Sequence, residues 1–266
     1  MTQGTMIDTP PSSFLELNQG KVTLIGAGPG DPELLTIKGL NALRVADMVL
    51  YDNLVSDAVL DFASPSAQRI YVGKESSRHS MPQEVIGEKM IEFARQGRHV
   101  VRLKGGDGYI FGRGGEEVQA LAKAGIPFQV IPGISAAQGA GSAFGIPLTH
   151  RDHARALVLA TGHLRENKQV DLDWTMLARK NQTVVIYMGV GTLPVVAEKL
   201  IEHGLSADTP AAIIEQATLP GQRCVDGTLQ TLPALASEHG IASPALIIIG
   251  GVVSLKRELM QPAING

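Results

Sequence analysis

The stretch KGGDGYIFGRGGEE, residues 104–117, follows the run HVVRL at 99–103 and leads into a segment with helical spacing through Glu117, Leu121 and Ala122. A β-branched run before it and a 3.6-residue period after it predict strand, loop and helix in that order. In an open parallel α/β sheet, ligands bind beyond the carboxyl ends of the strands, so a long glycine-rich loop there is a candidate site. Gly105 and Gly106 let a ligand approach the backbone closely. Asp107 offers a carboxylate to hydroxyls or an amine. Gly112, Gly114 and Gly115 bracket Arg113, whose planar fork matches a carboxylate, with Glu116 beside it.

Outward from this loop, strand and helix alternate. Strands are expected at 21–25, 48–51, 69–72, 99–103 and 125–131, with helices over 33–46, 56–62 and 82–96 between them. That alternation predicts a parallel sheet with right-handed crossovers. Residues 134–145, ISAAQGAGSAFG, are small enough for a tightly packed helix, and the hinge between two domains is placed between Pro132 and Arg151. Beyond it, strands at 156–160, 183–187, 211–215, 222–228 and 245–249 alternate less regularly and suggest a mixed sheet. The expected organisation is a mobile tail over 1–19, an α/β domain over 20–132, a linker over 133–150, a second α/β domain over 151–254 and a tail over 255–266.

Asp52 after the second strand and Lys74 after the third fall on one rim, and Met188 after the 183–187 strand and 216–218 after the 211–215 strand are again strand ends. The first loop, GAGPGDP at 26–32, resembles a dinucleotide fingerprint but lacks its third glycine, having Asp31 there, and Pro29 removes an amide that could hold pyrophosphate. A phosphate-free or positively charged ligand suits it better. Asp31 with Pro32 predicts a helix start. Net charge is −3, which gives no global field for nucleic acid. The single cysteine, Cys224, excludes an internal disulfide and fits a reducing cytosol. No membrane span or signal pattern is present, and the histidines show no metal-binding spacing. Neither Ser135 nor Cys224 has the neighbours of a covalent nucleophile.

The loop GAGPGDPELLT, the pair YDNLVS and YVGK, the central GGD with IFGRGGEE, the linker PGISAA followed by GIPLTHRD, and YMGVG resemble, in order from Lys21 to Val253, the tetrapyrrole methyltransferases. The resemblance implies a cytoplasmic homodimer of two-domain subunits that binds S-adenosylmethionine in an active-site cleft between the two domains. It implies methylation of uroporphyrinogen III at C2 and C7, giving precorrin-2 for siroheme, cobalamin or heme d1 synthesis, with no metal. The family's donor-binding positions fall on Pro29, Gly105, Gly106, Asp107, Ile110, Ser135, Ala136, Met188 and Ala217. Its acid–base positions fall on Asp52 and Lys74, and acceptor contacts on Arg113, Glu116, Arg151 and Met188. Methylating a pyrrole carbon leaves a cation that must lose a proton, and by residue type Asp52, Glu116 and Arg113 are each candidates for accepting it. Two departures from the family's pattern are Gly108-Tyr109 in place of Pro-Phe, expected to loosen the loop, and Ala217 in place of Gly. The rival readings are a methyltransferase acting on a later corrin intermediate or on a protein side chain, a nucleotide-dependent oxidoreductase, and a non-enzymatic ligand-binding protein.

Overall fold

A computed structural model describes residues 20–73, 81–163 and 170–259. The expected N-terminal tail, Lys74 and residues 260–266 lie outside the described residues. Among the described residues, ten strands form two five-stranded sheets. The first contains β1 (Lys21–Gly26), β2 (Met48–Tyr51), β3 (Gln68–Tyr71), β4 (His99–Lys104) and β5 (Phe128–Ile131) in the order β3-β2-β4-β1-β5, all parallel. The second contains β6 (Ala156–Thr161), β7 (Gln182–Tyr187), β8 (Pro210–Glu215), β9 (Arg223–Thr228) and β10 (Ala245–Ile249) in the order β6-β7-β10-β8-β9. There β6 and β7 are parallel while β10 runs antiparallel to β7 and β8, so the sheet is mixed, as the irregular alternation predicts.

The helices are α1 (Ile37–Arg44), α2 (Asp57–Leu60), α3 (Gln83–Arg95), α4 (Gly114–Lys123), α5 (Ala136–Ala143), α6 (Trp174–Leu177), α7 (Leu193–Glu202), α8 (Leu232–Glu238) and α9 (Lys256–Leu259). Strands covered by helices on both faces read as unbroken apolar runs. In the first sheet Val49, Val101 and Leu103 pack under α1 and α2, while Leu50 and Val100 pack under α3 and α4. In the second, Val184 and Ile186 face α7 and α8, and Val185 and Tyr187 face α5. Residues 133–150 thus contain a helix whose Ala137 and Ala140 are buried against the second sheet, where small side chains allow close approach.

The structure corrects the helix expected over 33–46. A 3-10 turn, Pro32–Leu34, comes first, with Asp31 accepting from Glu33 N at 2.9 Å; Leu35 is extended, and α1 starts afresh where Thr36 Oγ1 accepts from Gly39 N at 3.1 Å. The Thr36 hydroxyl satisfies an amide that a continuous helix would have bonded to its backbone, and so resets the start. At the other end of the chain the packing continues past 254: Leu255 is buried, and Lys256 Nζ donates to Asp226 Oδ1 at 2.5 Å.

His99 opens β4 with its Nδ1–H donating to the Val45 carbonyl at 3.2 Å, so Nε2 accepts from the Thr23 hydroxyl at 2.9 Å. Burial, and then Lys21, push its pKa below the ordinary histidine range, against the Val45 carbonyl and Asp47. The native state therefore binds this proton less readily than the unfolded chain. The His99 contribution is constant above the unfolded value of about 6.5 and turns destabilising as pH falls below it toward the folded pKa. Urea midpoints at pH 7.5 and 5.5 should fall less for His99→Gln than for the parent.

Candidate active site

Three turns meet backbone to backbone at the carboxyl end of the first sheet. Gly28 N donates to Gly106 O at 3.1 Å and Gly106 N to Gly28 O at 2.7 Å, which zips the β1 and β4 loops together. Gly133 closes on both: a Cβ there would lie 2.3 Å from Gly106 O and 2.7 Å from Gly26 C. Asp107 bonds the same turns together, with Oδ1 accepting from Tyr109 N at 2.9 Å and Oδ2 from Gly133 N at 3.0 Å. Its carboxylate thus shapes the loop.

Turns from the second sheet complete the cradle. Thr218 Oγ1 accepts from Asp31 N at 3.1 Å, and a Cβ on Gly139 of α5 would lie 2.5 Å from Pro29 Cγ. Tyr187 sits at the centre. Its hydroxyl accepts from Ala137 N at 3.1 Å, its ring lies 4.9 Å from that of Phe111, and burial pushes its pKa up. Ile110, Ala136 and Ala217 pack on the cluster that contains it, and Ser135 caps α5 beside it through a reciprocal pair of bonds with Gln138. Met188, next along β7, is half exposed. Pro29, Gly105, Gly106, Asp107, Ile110, Ser135, Ala136, Met188 and Ala217 therefore stand on turns that adjoin one another.

The backbone is strained at this cradle. Among the described residues six non-glycine residues have positive φ, and five of them, Phe111, Arg113, Met188, Gln216 and Thr218, lie in its turns. Such conformations persist where surrounding structure imposes them, and they gather at ligand sites. Beside this close backbone the partly buried side chains of Ile110, Ala136 and Ala217 are apolar, and the β1 turn offers little to a phosphate. Pro29 donates no amide, and Asp31 is occupied as a cap.

Asp52 follows β2 and is held from two sides, Oδ1 accepting from Leu54 N at 3.1 Å and Oδ2 from Arg102 NH2 at 3.0 Å. Leu54 packs on the β4 loop, where a Cβ on Gly105 would lie 2.6 Å from Leu54 Cβ. Arg102 also donates through Nε to Glu117 Oε1 at 3.1 Å, and that oxygen accepts from Lys104 Nζ at 3.1 Å and Gln83 Nε2 at 2.9 Å. Burial, then Arg102, push the Lys104 ammonium below the usual lysine range, while Glu117 and Asp52 oppose them. This buried network is absent from the sequence reading. Its signal was present, because an arginine inside the apolar run at 99–103 has to be paired once buried.

Arg113 and Glu116 are joined to each other on the exposed first turn of α4, Nε to Oε1 at 2.9 Å and NH2 to Oε2 at 2.6 Å. The bond to Glu116 raises the Arg113 pKa, and the bond to Arg113 lowers that of Glu116. Arg151 lies between α5 and β6, exposed, with its carbonyl accepting from Arg155 Nε at 3.4 Å.

Gly108 is buried, its carbonyl accepts from Gly114 N at 3.0 Å, and a Cβ would lie 2.4 Å from Leu24 Cδ2, so Leu24 fills the space a larger residue would need. Tyr109 projects outward, 55% exposed. Among the described residues, no group of three His, Cys, Asp or Glu side chains could hold a metal ion, and no helix is long and apolar enough to cross a membrane.

A parallel sheet, a mixed sheet and a glycine-built cradle whose turns come from both make up the architecture of one family: the chain belongs to the tetrapyrrole (corrin/porphyrin) methylases, whose family model matches residues 21–233. It is similar to the siroheme synthase of Thiobacillus denitrificans, 53% identical over 248 residues, an alignment that covers 93% of this chain and 52% of that protein. The chain thus spans about half the length of the curated relatives it matches. It is also similar to the crystal structure of uroporphyrin-III C-methyltransferase from Thermus thermophilus, with a TM-score of 0.77 and 40% identity over 93% of this chain and 99% of that one. A second structure of that enzyme, complexed with S-adenosylhomocysteine, gives a TM-score of 0.76 at 40% identity over 89% of this chain and all of the other.

Proposed function

We propose that the chain transfers methyl groups from S-adenosylmethionine to C2 and C7 of uroporphyrinogen III, yielding precorrin-2 and S-adenosylhomocysteine. The observation that carries this reading is the convergence of Pro29, Gly106, Ile110, Ala136 and Ala217 on turns around Tyr187, in a chain that is 40% identical to a uroporphyrin-III C-methyltransferase over nearly all of that enzyme. Bound S-adenosylmethionine supplies an electrophilic methyl group, and the pyrrole β-carbons of the acceptor are electron-rich nucleophiles, so the residues' main task is alignment. Holding two reactants well oriented removes about 7–11 kcal/mol from a barrier.

The turns after β1, β4, β5, β7 and β8 hold the donor. Asp52 and Lys74 handle the proton lost after transfer. Contact of the Asp52 turn with Gly105 supports Asp52 over Glu116, which is engaged by Arg113 on an exposed helix turn. Arg113 exchanges Glu116 for a carboxylate of the acceptor. The protein works as a cytoplasmic homodimer, and the siroheme synthase relatives favour siroheme as the destination of the product.

Anaerobic incubation with S-adenosylmethionine and uroporphyrinogen III, read by mass spectrometry, should give a dimethylated product and two equivalents of S-adenosylhomocysteine. An unmethylated acceptor would overturn the assignment, and methylation of a later corrin instead would reassign the substrate. Arg113→Ala should raise KM for the acceptor about tenfold, the size of one charge-assisted contact of roughly 1.5 kcal/mol. Its affinity for S-adenosylhomocysteine should stay unchanged by calorimetry.

A further inference from the structure

We propose that Arg102 is a positioning residue for the proton transfer assigned above to Asp52, fixing that carboxylate at the cleft through a fork that a lysine cannot reproduce. The inference rests on the proposed role of Asp52 and adds a residue to which no part has been given. Arg102 is 3% exposed, in the middle of β4 between Val101 and Leu103. Its guanidinium donates in several directions: Nε to Glu117 Oε1 at 3.1 Å, NH1 to Leu103 O at 2.8 Å and Leu50 O at 3.4 Å, and NH2 to Asp52 Oδ2 at 3.0 Å. Those acceptors belong to β2, β4, α4 and the turn that carries Asp52.

The direction of the network is informative. Glu117 has no side-chain exposure and receives both Arg102 and Lys104, which leaves one positive charge of the buried pair unmatched. Arg102 meets it with an edge directed at Asp52, whose side chain is 21% exposed and lies past the end of β2. With Leu54 N bonded to Oδ1, the carboxylate is held at both oxygens by buried or backbone donors, and only its outer side is left toward solvent. A planar fork transmits a fixed orientation from the core to that rim, whereas an ammonium on a flexible stem is a point charge that leaves the carboxylate free to turn.

A double-mutant cycle tests this with turnover, acceptor KM and S-adenosylhomocysteine affinity as readouts. Asp52→Asn should lower kcat by about 10²- to 10⁴-fold, the range for losing a positioned acid–base group. Arg102→Lys should lower kcat by about 10- to 100-fold, as misplacement of a reacting group does, with KM and inhibitor affinity near the parent values. Adding Arg102→Lys to Asp52→Asn should then cost no more than about a further twofold, because the group it positions is already gone. If the two losses multiply, Arg102 acts only on structure and the inference fails while the role of Asp52 stands. If Asp52→Asn turns over like the parent, the role of Asp52 fails, and the part given to Arg102 goes with it.

Should Arg102→Lys not fold, Glu117→Gln enters the same cycle. It keeps the Oε1 acceptor and places an amide at Oε2, which has no hydrogen-bond partner among the described residues. A kcat loss that vanishes in the Asp52→Asn background supports the inference. A loss that multiplies there, or no loss in either background, overturns it.

Discussion

Glu117→Ala is expected to destabilise the protein by about 3–5 kcal/mol, the cost of leaving buried charge without its partner. Arg102 and Lys104 are 3% and 4% exposed, and both donate to the same Glu117 oxygen. Asp52 alone would then face two interior cations, from the cleft side and with contact only to Arg102. The loss should depend on pH in a defined sense. Burial and Arg102 already push the Lys104 pKa down, and Glu117 is the first-ranked influence that holds it up. Without Glu117 the folded state releases this proton more readily still, while the unfolded chain keeps it up to about 10.4. Where the unfolded chain binds more protons, stability rises with pH. The gap between parent and Glu117→Ala should therefore be widest near pH 7 and narrow at pH 9.5, as measured by urea unfolding. A gap that did not change between the two would show that the ammonium is not the group left uncompensated. Adding Lys104→Met should recover part of the loss at pH 7, since it removes one of the stranded charges.

The strands were legible because their sequences allow little else. TVVIY and ALIII are β-branched or apolar throughout, and HVVRL is so apart from His99 and Arg102, as suits strands covered on both faces, and each forms a strand within a residue or two of its expected limits. The glycine turns were legible for a related reason: GAGPG and GGD cannot continue a regular element. Side-chain competition was harder to read. Thr36 interrupts an otherwise plausible helix by capping a new one, and nothing in the apolar spacing marks the break. The cradle's strained positions were not legible either. Phe111, Arg113, Met188, Gln216 and Thr218 are not residues that favour positive φ, and contacts between distant turns impose it on them. Tyr187 and Thr218 were read only by their place at strand ends, because the partners that give them their bonds, Ala137 and Asp31, are 50 and 187 residues away in sequence. Asp107 has a structural part that residue type did not suggest, because both of its oxygens fasten the loop, one to Tyr109 and one to Gly133.

That fastening identifies the change with the largest expected effect on the donor site, Gly133→Ala. The new methyl would lie 2.3 Å from Gly106 O and 2.7 Å from both C and O of Gly26, and none of these is the end of a side chain that could swing away. Gly26 is equally confined, with a Cβ there 2.5 Å from Gly133 N and 2.7 Å from Gly106 O, so moving either neighbour only transfers the clash. The β5 turn must therefore retreat from the β1 and β4 turns. Its retreat would stretch the 3.0 Å bond from Gly133 N to Asp107 and strain the paired bonds between Gly28 and Gly106. Overpacking of this kind costs about 1–3 kcal/mol in stability. The effect on ligand affinity should be larger, because the displaced turns are the ones proposed to hold the donor: about 100-fold or more for S-adenosylhomocysteine by calorimetry, on the scale of a 1 Å misplacement. Gly115→Ala is the matched control. A Cβ at Gly115 meets nothing within 4 Å and sits in the first turn of α4, where alanine should be neutral or add up to about 1 kcal/mol. If Gly133→Ala bound S-adenosylhomocysteine as tightly as Gly115→Ala does, the three meeting backbones would not be the wall of the donor site, and the ligand would have to lie elsewhere in the cleft.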